Sequence, residues 1–299
     1  MSLYSIHSCL IFLKWYIKDI MEEVVKNNLS EIQFKKEQTR QEEEHKKQKK
    51  EEDEKEIVKK AISEKDDFNI NIEDMMKAGL HFGHRVSKIH PKIKPYLYGV
   101  RNTIHIFDLE KGAKEFKKAL KFIEKLVSED KILLLVGTKI QVKDLVKNIA
   151  QECGLPYVNE RWLGGTFTNF ETIKRRVEYF KQLKKKKAEG QLEKYTKKER
   201  AKIDEELHIL ELKFEGIKDL ERLPDAIFVL DMKKDALAIK EARRKGIKVI
   251  GIADTNADPS LADYFIPAND DAISSVKYIL EKVKEVILNS KRKTQNTES

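Results

Sequence analysis

The sequence predicts an α/β fold in which a doubly wound parallel sheet is interrupted by an inserted antiparallel coiled-coil helical hairpin. Short, continuously apolar segments such as KILLLVGT (131–138) and KVIGIAD (248–254) alternate with amphipathic helical segments. Strands that are apolar on both faces need helices on both sides of the sheet, as in a parallel α/β layer. The alternation is broken once, between residues 170 and 218, where the apolar spacing is helical throughout.

The predicted elements follow one another from residue 69 to residue 290. NIEDMMKAG forms a short helix that Asn71 caps and Gly79 ends, and residues 90–109 are extended and finish in a strand. The remaining elements are helices at 110–130, 141–154, 233–246 and 270–290, and strands at 131–138, 156–160, 225–231, 248–254 and 263–269. This order is typical of a flavodoxin-like domain.

The interruption predicts two helices with narrow apolar seams, joined by a polar turn at Gly190. The seam positions recur every three or four residues, at Phe170, Ile173, Val177, Phe180 and Leu183 and then at Ile203, Leu207, Leu210, Phe214 and Ile217. The first helix is also strongly basic, with cations at Lys174, Arg175, Arg176, Lys181 and Lys184 to Lys187. A projecting basic hairpin favours a grip on folded nucleic acid.

The first 68 residues predict a charged N-terminal extension, helical or disordered. Residues 35–60 are nearly all charged, with mixed signs and no apolar face to bury. The first 20 residues lack the features of a signal or transit peptide, so we expect an interfacial element or a translated upstream stretch, with Met21 as an alternative start. At the other end, residues 291–299 predict a flexible tail.

The charge distribution indicates a polyanionic partner. The whole chain has a net charge of +9, and residues 69–299 carry 46 Lys or Arg against 35 Asp or Glu. A domain this basic is usually attracted to nucleic acid, although a surface that only confers solubility is the alternative. The two cysteines are far apart in the sequence, which indicates a reducing compartment. No apolar run reaches the roughly 20 residues of a membrane span, so we expect no membrane partner.

Enzymatic signatures are missing from the sequence. The segment after KILLLVGTK has one glycine, and it matches neither a dinucleotide-binding nor a P-loop pattern. No G-x-S-x-G motif occurs. The leading hypothesis is therefore a non-enzymatic RNA-binding protein without a small-molecule substrate. The second hypothesis is a nucleotide- or sugar-binding α/β enzyme with a helical insertion.

One set of residues suggests a divalent cation, although no cofactor is required for the leading hypothesis. Asp254 ends a predicted strand, Asp270 and Asp271 precede the last helix, and carboxyl ends of parallel strands converge on one crevice. With His84 as a nitrogen ligand, Asp254 and Asp271 form the candidate metal site. Alternatively, Asp271 interacts with its helix N-terminus and Asp254 begins the DTNADP turn.

The loop RWLGGTFTN (161–169) precedes the basic hairpin and combines an aromatic residue with two glycines. Gly164 and Gly165 are expected to let the chain turn where a Cβ would clash, which makes the loop a hinge. Trp162 either wedges at the base of the hairpin or contacts RNA directly. Thr166, Thr168 and Asn169 offer groups for a phosphate, for a ribose hydroxyl or for capping the first hairpin helix.

Several blocks of the sequence together carry a family resemblance. They are AGLHFGHRVSKIHPKIKPYLYGVRNTIHIFDLEK, LLLVGTK, NERWLGGTFTNFETIKRR, LPDAIFVLDMKKDALAIKEARRKGIKVIGIADTNADP and FIPANDDA. From about Asn69 to about Ser290 the chain resembles the bacterial-type small-subunit ribosomal protein S-two family. The resemblance implies a flavodoxin-like domain with a coiled-coil protrusion, which binds small-subunit ribosomal RNA between head and body. It also implies contact with other small-subunit proteins, including the large messenger-binding one, on a cytoplasmic bacterial ribosome rather than an organellar one.

These considerations yield a set of predicted RNA-contacting residues. The set contains cations, polar residues and one tryptophan from three regions of the domain: Arg85, Lys88, Lys92, Lys94, Arg101, Asn102, Arg161, Trp162, Thr166, Thr168, Asn169, Lys174, Arg175, Arg176, Lys181 and Lys184.

Overall fold

In the computed structural model, residues 68–298 are described, with side chains to residue 293. Phe68–Ser299 is one compact unit. The predictions for the first 67 residues lie outside this range. The helices of the described part are α1 (Ile72–Lys77), α2 (Leu109–Ser128), α3 (Lys143–Cys153), α4 (Phe170–Ala188), α5 (Lys197–Phe214), α6 (Ala236–Arg244) and α7 (Ile273–Glu298). The strands are β1 (Phe82–Arg85), β2 (Leu97–Arg101), β3 (Ile104–Phe107), β4 (Leu133–Val136), β5 (Tyr157–Val158), β6 (Ala226–Val229), β7 (Lys248–Ala253) and β8 (Tyr264–Pro267).

The centre of the domain is a five-stranded parallel sheet in the order β5-β4-β6-β7-β8. Counted along the chain from β4, this is the 2-1-3-4-5 order of flavodoxin-like folds, so the predicted fold class is confirmed. The strands β4 and β6 are buried at every position, as their unbroken apolar sequences predict.

Two apolar layers cover the sheet, one on each face. The first contains the buried sides of α2, α3 and α7. The second contains α6, the loop before α4, and the apolar residues of the hairpin formed by α4 and α5. The hairpin stands between β5 and β6, where a crossover helix would otherwise be. The described helices include none that is long and apolar enough to span a membrane.

A second, antiparallel sheet of three strands, in the order β1-β3-β2, was not expected from the sequence. Residues 90–109 were predicted to be extended, but Pro91–Tyr96 is a 3-10 helix and a β-hairpin follows it. The hairpin turn places Asn102 and Thr103 at φ +48° and +65°, which suits the right-handed twist of the flanking strands. Neither residue is glycine, so the usual turn signal is missing from the sequence.

The last helix is longer than predicted, because α7 continues through Glu298 instead of ending at residue 290. Two lysines of this added part contact the body of the domain. Lys291 Nζ donates to the carbonyl of Cys153 at 2.8 Å, and Lys293 Nζ lies 3.0 Å from Glu124 Oε1. A polar tail sequence does not reveal such long-range contacts.

Candidate nucleic-acid interface

The helices α4 and α5 form an antiparallel pair, and three lysines of α4 make ion pairs to α5 and to the segment after it. Lys187 pairs with Asp204 at 2.7 Å, Lys184 with Glu211 at 2.9 Å, and Lys181 with Asp219 at 3.4 Å. The partner number rises as the lysine number falls, which is the register of an antiparallel hairpin. The apolar seam includes buried Val177, Phe180 and Leu183 opposite Leu207, Leu210 and Phe214. Coiled-coil packing in the strict sense stays a prediction.

These ion pairs change the expected role of the hairpin lysines. The hydrogen bond to Glu211 raises the pKa of Lys184, so its charge is held within the hairpin. Lys181 and Lys184 were predicted to contact RNA, yet both already face a carboxylate. Each still exposes about half of its side chain and can add a phosphate contact only at the expense of that pairing.

The base of the hairpin carries a group of cations that form no ion pair with any described residue. Arg175 and Arg176 are exposed and Lys174 is half-buried. All three lie in the first two turns of α4, directly after the loop 161–169. Arg161 at the start of that loop is exposed as well. This end of the hairpin therefore presents a compact group of available positive charge.

The loop 161–169 is held in place by one buried carboxylate, that of Glu241 on α6. The side chain of Glu241 is 4% exposed. Its Oε1 accepts from the amide of Gly165 at 2.8 Å and from Trp162 Nε1 at 3.4 Å. Its Oε2 accepts from the amides of Phe167 at 3.0 Å and Thr168 at 3.3 Å, and from Thr168 Oγ1 at 3.3 Å. One side chain thus anchors the whole loop to α6.

Hydrogen bonding outweighs burial in setting the charge of this anchor. Burial raises the pKa of Glu241, but the amides of Gly165, Phe167 and Thr168, with Trp162, lower it by more. The net pKa lies below the ordinary value, so Glu241 is a carboxylate at neutral pH. Sequence reasoning missed this residue. The available signal was a lone acid among the cations of KEARRK.

Two predicted RNA contacts in this loop are corrected by their burial. Trp162 is 6% exposed and packs edge-on against Phe167 with ring centroids 4.8 Å apart. Thr166 is 2% exposed, and its hydroxyl donates to the carbonyl of Leu163 at 2.6 Å. Neither side chain has a surface to offer RNA, so Trp162 is the wedge at the base of the hairpin. Thr168 and Asn169 are exposed and stay in the predicted set.

The role assigned to the glycines and to Asn169 is also corrected. Gly165 has φ +93°, a conformation that L side chains rarely adopt. Gly164 does not, and a Cβ there would stand 3.7 Å from Leu237 Cδ2, an ordinary contact. A clash with a Cβ therefore explains neither glycine, and only Gly165 is required by its backbone. Asn169 occupies the N-cap position of α4 without a side-chain bond to its backbone, and its Oδ1 accepts from Thr172 instead.

The antiparallel sheet and the 3-10 helix present the remaining predicted cations. Arg85, Lys88, Lys94 and Arg101 are exposed, as is Asn102 in the hairpin turn. Arg85 and Arg101 both lie opposite Ile104 in register, so they flank the same strand on one face of the sheet.

Lys92 differs from these cations because its ammonium is engaged within the protein. Its Nζ lies 3.0 Å from Asp258 Oδ2 and 2.6 Å from Ser260 Oγ. Burial raises the pKa of Asp258, but the hydrogen bonds that its carboxylate accepts from Ser260 and Lys92 lower that pKa by more, to about 2. Lys92 therefore holds the Asp258 loop against the 3-10 helix and is a weaker candidate for a phosphate contact.

The candidate metal residues do come together at the carboxyl edge of the parallel sheet, but with a different third ligand. His84, Asp254 and Asp270 offer ligand atoms within 4.8 Å of one another. His84 Nδ1 lies 3.0 Å from Asp254 Oδ1, whereas Asp271 Oδ2 is 3.4 Å from the opposite nitrogen, Nε2. One ion binds a single ring nitrogen, so the predicted set of His84, Asp254 and Asp271 does not surround one position. Asp270 replaces Asp271 in the set.

The electrostatics of this cluster depend on the ammonium group of Lys139, which was not predicted. Its Nζ lies 2.7 Å from Asp270 Oδ1, 2.8 Å from Asp271 Oδ1 and 3.0 Å from Asp231 Oδ2. Burial and the carboxylates of Asp254 and Asp231 raise the pKa of Asp270 to about 7, against the pull of Lys139. The hydrogen bond to Asp254 raises the pKa of His84. The crevice is thus a compact, internally balanced charge network.

Comparisons with known proteins identify relatives of this chain in one family. A family model described as Ribosomal protein S2 matches residues 75–290. The chain is 43% identical over 219 residues to the small ribosomal subunit protein uS2 of Koribacter versatilis (strain Ellin345), which covers 73% of each chain. It is also 43% identical over 220 residues to the small ribosomal subunit protein uS2 of Geotalea uraniireducens (strain Rf4), covering 74% of this chain and 86% of that protein.

Proposed function

Because the chain belongs to the ribosomal protein S2 family, we propose that it is a structural, non-enzymatic component of the small ribosomal subunit. In this proposal it binds small-subunit ribosomal RNA between the head and the body of a bacterial ribosome in the cytoplasm. The main support for the proposal is the positively charged base of the hairpin, which the Glu241 anchor holds next to the body of the domain.

The arrangement at the hairpin base suits the recognition of a shaped phosphate backbone. Arg161, Arg175 and Arg176 are exposed, and they sit on elements whose position is set by buried contacts. A rigid array of arginines makes directed hydrogen bonds to phosphate oxygens, whereas flexible lysines act as point charges. Exposed Thr168 and Asn169 beside them can bond a ribose hydroxyl or a phosphate.

The rival function, an enzyme acting on a nucleotide or sugar, is disfavoured by the crevice where such folds bind ligands. That crevice lies between β4 and β6, at the point where the strand order reverses. It contains the Lys139 network, and Thr138 Oγ1 donates to buried Asp235 at 2.8 Å. A Cβ at Gly137 would stand 2.5 Å from Leu230 Cδ1, so this glycine serves close packing and not a phosphate loop.

A more specific part of the proposal is that the chain also provides a docking site for the messenger-binding protein of the small subunit. We place it on the edge strand β2 of the antiparallel sheet, where Tyr98 and Val100 are exposed two residues apart. Tyr98 is 83% exposed, a large value for an aromatic side chain on a strand. A Tyr98→Asp variant should then enter the subunit but lose that partner in a pull-down, while Tyr195→Asp on the distal end of the hairpin should keep it. Retention of the partner by both variants would remove this surface from the proposal.

The cluster of His84, Asp254 and Asp270 supports a further part of the proposal, a single divalent cation. The set combines a nitrogen and two carboxylate ligands on rigid elements, as zinc and other first-row metals prefer. Its role would be structural, since His84 belongs to β1 and the two aspartates follow β7 and β8. The cation would therefore fasten the antiparallel sheet to the parallel one.

Sedimentation of the full chain tests the main proposal. The epitope-tagged protein, expressed in a bacterium, should sediment with the small-subunit peak of a sucrose gradient at low salt. The variant K174Q/R175Q/R176Q should fold normally and move toward the soluble fractions. It should also flatten the salt dependence of RNA binding by roughly 0.7–0.9 in log–log slope for each phosphate that the protein no longer neutralises. A wild-type protein that stays at the top of the gradient would favour the enzyme hypothesis.

A further inference from the structure

The helix α6 carries a second group of cations that the hairpin does not explain. Lys233, in the turn before the helix, and Lys240 and Arg244, within it, are all exposed. The two helical positions and Leu237, which is 49% exposed, recur at three- and four-residue intervals on the outward face. Among the described residues none of the three cations forms an ion pair.

The acidic residues of this segment are turned inward. Asp235 is 3% exposed and Glu241 is 4% exposed. Asp235 accepts from Thr138, and Glu241 accepts from the loop 161–169, so neither offsets the outward charge. Between residues 232 and 248 every exposed charged side chain is a cation. The outward face of α6 therefore has a uniformly positive potential.

Of the other four cations of the segment, Lys245 is exposed, and the remaining three contact neighbouring groups. Lys234 Nζ donates to the carbonyl of Thr138 at 2.8 Å, and Arg243 Nη1 donates to the carbonyl of Ser260 at 3.3 Å. Lys248 pairs with Asp263 at 2.8 Å. These three contacts fasten the ends of the segment to neighbouring loops. They leave the row of Lys233, Lys240 and Arg244 directed to solvent on a fixed support.

The position of α6 connects this group to the proposed RNA-binding surface. The helix lies on the same face of the parallel sheet as Trp162 and the base of the hairpin. Leu237 Cδ2 stands 3.7 Å from where a Cβ on Gly164 would be, so the outward face of α6 abuts the loop 161–169. Glu241, on the inward face, binds that same loop. The cations of α6 and those of the hairpin base thus border one loop from two sides.

We infer that Lys233, Lys240 and Arg244 form a second phosphate-binding element, which contacts the backbone of the same ribosomal RNA that the hairpin base grips. The inference rests on the proposed function and deepens it. Because the two elements share the anchor Glu241, their spacing is fixed by the protein, which lets them select a folded RNA by shape. The partner is RNA and not an acidic protein, because the row continues a surface whose exposed groups include Arg161, Arg175 and Arg176.

The test is the variant K233Q/K240Q/R244Q in the full chain, with in vitro transcribed small-subunit ribosomal RNA as the probe. Its dissociation constant is measured as a function of salt. If three phosphates are no longer neutralised, the log–log slope should fall by about 2–3, so the variant's loss of affinity relative to the wild type should be roughly 100- to 500-fold larger at 0.1 M salt than at 1 M. The melting temperature should stay near that of the wild type, because the three side chains are exposed.

The matched control removes the same charge from the opposite face of the sheet. K114Q/K147Q/R292Q changes three exposed cations on α2, α3 and α7. It should shift the slope by less than about 0.7, the value for a single phosphate. An α6 variant that behaves like this control overturns the inference. So does an α6 variant that keeps its RNA slope but fails to enter the small subunit, since that result assigns the face to a protein partner.

The same measurements distinguish a failure of the inference from a failure of the proposed function. If the wild type binds the RNA and K174Q/R175Q/R176Q lowers the slope while the α6 variant does not, only the second element is refuted. If the wild type shows no salt-dependent binding to the RNA, the proposed function fails and the inference fails with it.

Discussion

The carboxylate of Glu241 is expected to be a main determinant of the stability of the hairpin base. In a Glu241→Gln variant one oxygen can still accept a hydrogen bond, but the new amide group is a donor. It would face either the Gly165 amide, 2.8 Å from Oε1, or the Phe167 amide, 3.0 Å from Oε2. At least one amide in this half-buried loop would then lose its acceptor, and the other would lose a charged one.

The size of the effect follows from those two hydrogen bonds. An unsatisfied buried donor costs about 1–3 kcal/mol, and a hydrogen bond to a charged group contributes about 1.5–3 kcal/mol. We therefore expect a loss of about 3 kcal/mol in the free energy of unfolding, or a decrease in melting temperature of roughly 6–12 °C for a domain of this size. The assay is urea unfolding of the full chain at neutral pH, followed by circular dichroism.

The effect should also depend on pH. The folded-state pKa of Glu241 is below its ordinary value of 4.5, so the carboxylate contributes stability above that value. The contribution is lost as the pH falls through the folded pKa. The difference between wild type and Glu241→Gln should accordingly be full at neutral pH and shrink on acidification below about pH 4.5.

A surface glutamate supplies the comparison. Glu281 on α7 has a 56% exposed side chain and a 3.8 Å ion pair with Lys277. Glu281→Gln should change stability by less than about 0.5 kcal/mol. Equal unfolding midpoints for the two variants, or a Glu241→Gln loss that does not shrink in acid, would refute the anchoring role.

Three further predictions test other features. Gly165→Ala should cost about 1–3 kcal/mol because of its φ of +93°, and Gly164→Ala much less; equal losses in thermal melts would contradict this assignment. Thr196→Ala removes the capping box of α5 and should cost about 1 kcal/mol, seen as faster amide exchange in its first turn; unchanged exchange would count against the cap. Protein purified without a polyhistidine tag should contain near-stoichiometric divalent metal by elemental analysis, which Asp254→Ala abolishes and Asp271→Ala retains; a metal-free wild type ends that proposal.

The sequence by itself determined the layers of this protein. Short apolar runs such as that of β4, bounded by turn residues, indicate a strand covered on both faces, and the three- and four-residue spacing from Phe170 onward indicates helices. Both patterns are local, because burial imposes the same periodicity wherever an element packs. The basic character of the hairpin was also visible, because its cations are clustered in the sequence.

The tertiary structure alone decided which charges are available and which are internal. Lys139 meets its three carboxylates across separations of about 90 to 130 residues, Glu241 meets Gly165 across 76, and Lys184 turns to Glu211 across 27. The sequence does not distinguish an ionisable side chain that anchors a buried loop from one that faces solvent. The difference lies in the partners that folding brings within hydrogen-bond distance, since burial makes an unpaired charge too costly to keep.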